Sequence, residues 1–162
     1  NAIERYEGLE DTELQGLFDA FTEEQPYLFT FCMTMGQQMK NEDLQELLIE
    51  YLLLIWQSFK METGKVGITT EVSIEESETH VMQVLEDMNF DLDDMENDEN
   101  VATYLNSFKQ TNIVRFVTEE IMNFLNDEDE DDDFEKDADN EDAGILLSCL
   151  LISIESLDRV TG

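Results

Sequence analysis

Residues 47–56 hold a single charged side chain, Glu50, and residues 143–154 hold none. The chain is 162 residues long and carries 41 Asp and Glu against only 8 Lys and Arg. In so acidic a sequence, two segments without charge belong inside the fold. A helix that is apolar nearly all round sits at the centre of a bundle, touched on several sides. Both runs fall short of the roughly 20 apolar residues that a membrane-spanning helix needs, so no membrane partner is expected.

The rest of the sequence reads as helix around that centre. It has one proline and seven glycines, and Leu, Glu, Met and Gln favour helix throughout. Leu14, Leu17, Phe18 and Phe21 form one apolar stripe, which predicts a first helix over 12–21. Pro26 suits the first turn of a second helix, reaching about Met39. Asn41 offers an N-cap, and acidic Glu42 and Asp43 follow it in the first turn. The third helix then runs to about Met61, with Gly64 as its stop. Ser73 and Glu76 match a capping box, predicting a fourth helix over 74–88. Residues 90–97 read as an irregular acidic piece pinned by Leu92 and Met95. A fifth helix carries Val101, Tyr104, Leu105 and Phe108, a sixth spans 112–125, and a seventh spans 141–157.

The order of these helices suggests an internal duplication. The stripe of the first helix aligns with Val101, Tyr104, Leu105 and Phe108. Gln25, Leu28, Phe29 and Phe31 align with Gln110, Ile113, Val114 and Phe116. Asn41-Glu42-Asp43 aligns with Asn140-Glu141-Asp142, and Leu47, Leu48, Leu52 and Ile55 align with Leu146, Leu147, Leu151 and Ile154. The change of register before the last match equals the length of residues 126–139, an acidic and flexible insertion. The expected fold is all-α: a single-domain bundle of about seven helices, made of two related three-helix units (about 11–61 and 98–158) joined by a bridging helix. Residues 1–2 are expected to be the remainder of a cleaved tag.

Charge removes whole classes of function. The formal net charge is −33, a field against which eight cations cannot build a phosphate footprint, so direct nucleic-acid binding is not expected. Cys32 and Cys149 lie in apolar helical runs and behave as small hydrophobes, which excludes a disulfide framework or a thiolate zinc site. No basic-then-apolar segment opens the sequence, and a cytoplasmic location is expected.

Candidate chemistry is thin. Residues 127–142 contain twelve carboxylates, and Lys136 is the only cation among them. A Ca²⁺ loop counted from Asp127 would put Asp132 where glycine is needed and Ala138 where the bidentate glutamate is needed, so no dedicated metal site is expected. Phe134 is the one residue in the densest part that could anchor on a partner. Asp129, Asp131, Asp132, Asp133, Phe134 and Glu135 are therefore the candidate partner-contact residues. His80 is the only histidine, which excludes a two-histidine zinc motif; four residues after Glu76, it suits a surface pairing there. Ser148 and Ser153 have neither histidine nor glycine elbow nearby, and a buried helical serine can bond back to a carbonyl. Arg115 suits bridging carboxylates between helices or snorkelling to the surface. Met33, Met35, Met39, Met82, Met88 and Met122 read first as core filler and second as an adaptable binding surface. Trp56 and Tyr51 read as core.

No catalytic residue and no cofactor is expected. The favoured function is a non-catalytic protein–protein interaction module docking on a basic partner, because a strong field of one sign speeds association and repels wrong partners. Two alternatives stand beside it. All-helical nucleotide pyrophosphohydrolases hold Mg²⁺ with Glu-x-x-Glu and Glu-x-x-Asp pairs on facing helices, and Glu75/Glu78 and Glu155/Asp158 have those spacings. A DNA mimic would need its carboxylates to line one extended face. A third account assigns the charge to solubility alone.

Overall fold

The computed structural model describes residue 8 and residues 10–87, 99–109, 111–127 and 133–161. Every regular element among them is an α-helix: α1 (Asp11–Glu24), α2 (Pro26–Gly36), α3 (Glu42–Thr63), α4 (Glu71–Asp87), α5 (Glu99–Asn106), α6 (Thr111–Asp127) and α7 (Asp133–Thr161). The readings made for residues 1–2, Met88, residues 90–97 with Leu92 and Met95, Gln110, and Asp129, Asp131 and Asp132 lie outside the described residues. For residues 124–127 and 133–140 only the helical backbone is described.

Local chemistry explains most helix ends. Pro26 stands at the start of α2, where its missing N–H costs nothing. The Asn41 side chain accepts from the Asp43 and Leu44 N–H groups, 2.9 and 3.3 Å away, and so caps α3. Gly64 ends α3 in the left-handed region, at φ 72°, a conformation that favours glycine.

Helices α1 and α7 run on to Glu24 and Thr161, past the expected residues 21 and 157, and three further boundaries differ from expectation. Helix α2 stops at Gly36 rather than Met39, because the chain turns there and the Met39 N–H bonds to the Gly36 carbonyl. Helix α4 starts three residues early, since the capping pair is Thr70 and Ser73 rather than Ser73 and Glu76. The Ser73 N–H donates to Thr70 Oγ1 at 3.1 Å, and the Thr70 N–H to Ser73 Oγ at 2.9 Å. Helix α7 starts at Asp133 instead of Glu141, so the second half of the acidic stretch is helical rather than an irregular insertion. A sequence opening Asp133-Phe134-Glu135 suits the positive end of a helix dipole.

The two charge-poor segments meet in the middle. Helix α7 packs against α4, α3, α6 and α2, and α3 packs in turn on α1, α2 and α6. On α7, Leu146, Leu147, Leu150, Leu151, Ile154 and Leu157 are wholly buried. Facing them on α3 are Leu48, Leu52, Ile55 and Trp56, also buried. Phe21 of α1 closes one side of this core with its ring edge-on to Trp56, centroids 5.4 Å apart. Met39 is buried, and Met33, Met35 and Met122 pack half-buried against the core as filler. Met82 is not filler: it lies 48 % exposed on α4.

Two buried polar side chains tie distant links to this core. Gln25, between α1 and α2, donates from Nε2 to the Gly67 carbonyl at 2.7 Å, and its Oε1 accepts from the Thr69 N–H and hydroxyl. Gly67 itself rests on the last turn of α7. Its N–H donates to Thr161 Oγ1, and a Cβ there would collide with the Val160 carbonyl. The second tie is Asp142, whose Oδ2 accepts from the Lys40 and Asn41 N–H groups, each at 2.8 Å. It fixes the α2–α3 link to the side of α7.

Candidate interaction surface and its polar clusters

Most carboxylates of the described residues sit outside. On α1, Asp11, Glu13, Asp19, Glu23 and Glu24 are exposed; on α3, Glu42, Asp43, Glu46 and Glu50; on α4, Glu71, Glu75, Glu76, Glu78, Glu86 and Asp87. Only a few find a cation. Lys60 reaches Glu24 at 3.1 Å while lying over the Trp56 ring, 3.9 Å from its centroid. Eight cations cannot pair 41 carboxylates, and the exposed acids are shared among α1, α3 and α4 rather than confined to one helix.

The densest polar constellation lies where α4 crosses α7. His80 Nδ1 is 2.5 Å from Glu155 Oε1. Arg159 lies 3.3 Å from Glu76 and 3.7 Å from the second oxygen of Glu155. His80 was expected to pair with Glu76 on its own helix. The inter-helix contact wins because Glu155 is only 16 % exposed and projects between the helices, while Glu76 is held by Arg159. Glu155 Oε2 and the Tyr104 hydroxyl are both buried and find no hydrogen-bond partner among the described residues. Burial, and then the Glu155 charge, hold the Tyr104 hydroxyl well above the usual phenol range. Asp158, one turn on, has its carboxyl pushed up by burial. Lys109 opposes that shift, and the Glu155 and Glu62 charges add to it.

Glu75/Glu78 and Glu155/Asp158, the two spacings of the phosphohydrolase alternative, lie on the two helices that cross here. The α4 side chains paired with α7 here are Glu76, with Arg159, and His80, with Glu155; like them, Glu75 and Glu78 are exposed. Among the described residues, no group of three or more His, Cys, Asp and Glu could hold a metal ion.

Other singled-out residues have structural duties. Ser153 donates to the Cys149 carbonyl four residues back, at 2.7 Å. Its oxygen also lies 3.4 Å from Cys32 Sγ, which in turn is 3.5 Å from Cys149 Sγ. The Cys32 contact and burial push the Cys149 thiol up, which makes it a poor nucleophile at neutral pH. Arg115 reaches the surface, one of its two expected placements, and there donates to the amide oxygen Asn106 Oδ1 at 3.1 Å. Tyr51 packs edge-on to Phe116, with centroids 6.4 Å apart. Burial and the nearby Glu120 and Glu50 charges raise its hydroxyl to about 12.

Of the candidate partner-contact residues, Asp133, Phe134 and Glu135 form the first turn of α7, while Asp129, Asp131 and Asp132 lie outside the described residues. The sequence places Asp142 and Gln25 only in the repeat alignment and gives no sign of the ties they make. Their partners stand 101 and 44 positions away, and no local pattern points to them. No helix of the described residues is long and apolar enough to cross a membrane. No family model, curated protein or solved structure matches this chain.

Proposed function

We propose that this chain is a non-catalytic protein–protein interaction module that docks electrostatically on a basic partner in the cytoplasm. The observation that carries the reading is the disposition of its carboxylates. They crowd the exposed faces of α1, α3 and α4, and the well-buried Asp142 is committed to backbone N–H groups of the fold itself. A net charge of −33 on such a surface raises the rate of encounter with a basic surface and makes that rate fall with ionic strength. Acid shared among three helices fits general docking better than a mimic of one phosphate ridge.

Affinity capture with the full chain as bait tests the reading. A basic protein retained at low ionic strength and released as salt rises is the expected result. Retention that ignores salt, or no salt-sensitive partner at all, overturns it and leaves the charge to solubility.

The two three-helix units (about 11–61 and 98–158) are proposed to share an origin, supported by the matching apolar positions of α3 and α7. Superposing the units tests this. If α1 and α5 do not occupy equivalent places, the duplication fails.

A further inference from the structure

Between the second half of α2 and the first half of α3 runs a groove of about 350 Å³, lined by Met33, Gly36, Gln37, Gln45, Leu48 and Ile49. Its floor is apolar and fixed. Leu48 is buried, and a Cβ on Gly36 would stand 3.2 Å from Leu48 Cδ2, so glycine lets the two helices close there. Its walls are adaptable, because Met33 and Ile49 are only partly buried and a thioether conforms to varied shapes. Gln45 is held in place by donating from Nε2 to the Met39 carbonyl at 2.6 Å. On α3, Glu42 and Glu46 are exposed, each three residues before a groove-lining side chain, Gln45 or Ile49, and so on the neighbouring strip of the helix. Lys40, in the adjoining link, is outnumbered by them.

We propose that this groove seats a basic amphipathic helix of the partner. The inference rests on the electrostatic-docking reading above and narrows it to one place and one ligand chemistry. An aliphatic anchor of that helix enters between Met33 and Ile49, and its Lys or Arg side chains face Glu42 and Glu46. The volume lies at the small end of ligand pockets, fit for one or two anchors rather than a cofactor. Helix-in-groove recognition needs this combination of an apolar channel and a charged rim. An anionic lipid or a nucleic acid would meet the carboxylates with like charge, and so would a second copy of this chain.

The test uses calorimetry on the full chain with two synthetic peptides of equal length and charge at low ionic strength. One is an amphipathic helix of Leu and Lys, and the other carries Lys among Gly and Ser with no apolar face. The amphipathic peptide is expected to bind about tenfold more tightly or better, a difference set by its anchors. Met33→Gln and Ile49→Gln, each confirmed as folded by circular dichroism, should each remove that advantage and leave the second peptide's affinity unchanged. Both residues are part-exposed, so two independent variants protect the test against loss of fold in one. Equal binding of the two peptides, or an advantage that survives both variants, overturns the groove while leaving electrostatic docking intact. No binding of either peptide overturns both. Sedimentation that shows a dimer broken by Ile49→Gln would make a second copy the occupant and overturn the proposal.

Discussion

The tripeptide Asn-Glu-Asp occurs at 41–43 and again at 140–142, and the fold uses the two copies in opposite ways. In the first, Asn41 caps α3 with its side chain, and Asp43 points into solvent. In the second, Asn140 is already inside α7, and Asp142 is buried with its carboxylate on two N–H groups. One of those N–H groups belongs to Asn41, so the second copy grips the first. Identical local sequence thus yields a helix start where the chain arrives from a turn, and a tertiary clamp where helix already precedes it. The match of this tripeptide therefore lends no support to a duplication. The apolar matches of α3 and α7 still do, although a shared place in the core would select them too.

Removing the clamp should have the largest effect. Asp142→Ala leaves the Lys40 and Asn41 N–H groups without their charged acceptor, and hydrogen bonds of that kind contribute about 1.5–3 kcal/mol. A loss of about 3 kcal/mol in urea unfolding is expected, while Asp43→Ala, which removes only an exposed first-turn charge, should cost less than about 1 kcal/mol. Similar losses from the two substitutions would erase the contrast. Next comes the cap. Asn41→Ala should cost about 1 kcal/mol, whereas Asn140→Ala should be neutral or slightly stabilising, because alanine is the better helix former. Thermal unfolding of both variants decides it, and equal losses would place Asn140 in a capping role after all.

The contrast continues along α7. Asp142 has its hydrogen bonds, but Asp158, sixteen residues on, meets burial and the charges of Glu155 and Glu62, offset in part by Lys109. Its carboxyl is raised from the usual 3.8, so its protonated form is the one the fold favours. A raised folded-state pKa contributes stability that is complete below the unfolded value and lost as pH climbs through the folded one. At neutral pH the ionised Asp158 therefore weakens the fold. Asp158→Asn should raise the melting temperature at pH 7 by less than the cap is worth, and the gain should shrink as pH falls towards 3.8. A variant less stable than the parent at neutral pH would mean that Asp158 makes a favourable charged contact.

What the sequence could show divides along the same line. The start of α3, its stop at Gly64, the start of α2 at Pro26 and the central burial of both charge-poor segments rest on side chains acting within a turn or on periodicity, and all were legible. The start of α4 was misplaced by three residues because Thr70, Ser73 and Glu76 offer two overlapping capping pairs, and sequence does not rank them. The start of α7 was hidden because a run of carboxylates resembles a solvated loop until a helix dipole lies behind it. Asp142, Gln25 and the choice of Glu155 over Glu76 by His80 depend on which helices become neighbours. The groove between Met33 and Ile49 was visible only as a surplus of methionine.

The smallest effect separates inner from outer carboxylates most cleanly. Exposed acids such as Glu46, beside Glu42 and Glu50 on α3, repel one another through water. At physiological salt their reach is cut to about 8 Å. Raising sodium chloride should therefore stabilise the parent chain slightly, and Glu46→Gln should gain stability at low salt and lose that gain at high salt. The Asp142 clamp works over 2.8 Å in a buried setting, too short and too shielded for ions to enter. The cost of Asp142→Ala should then be the same at both salt concentrations, read as the difference between paired urea titrations. If that cost instead falls with salt in step with the Glu46→Gln gain, Asp142 acts through the general field, and the two copies of the tripeptide differ in degree rather than in kind.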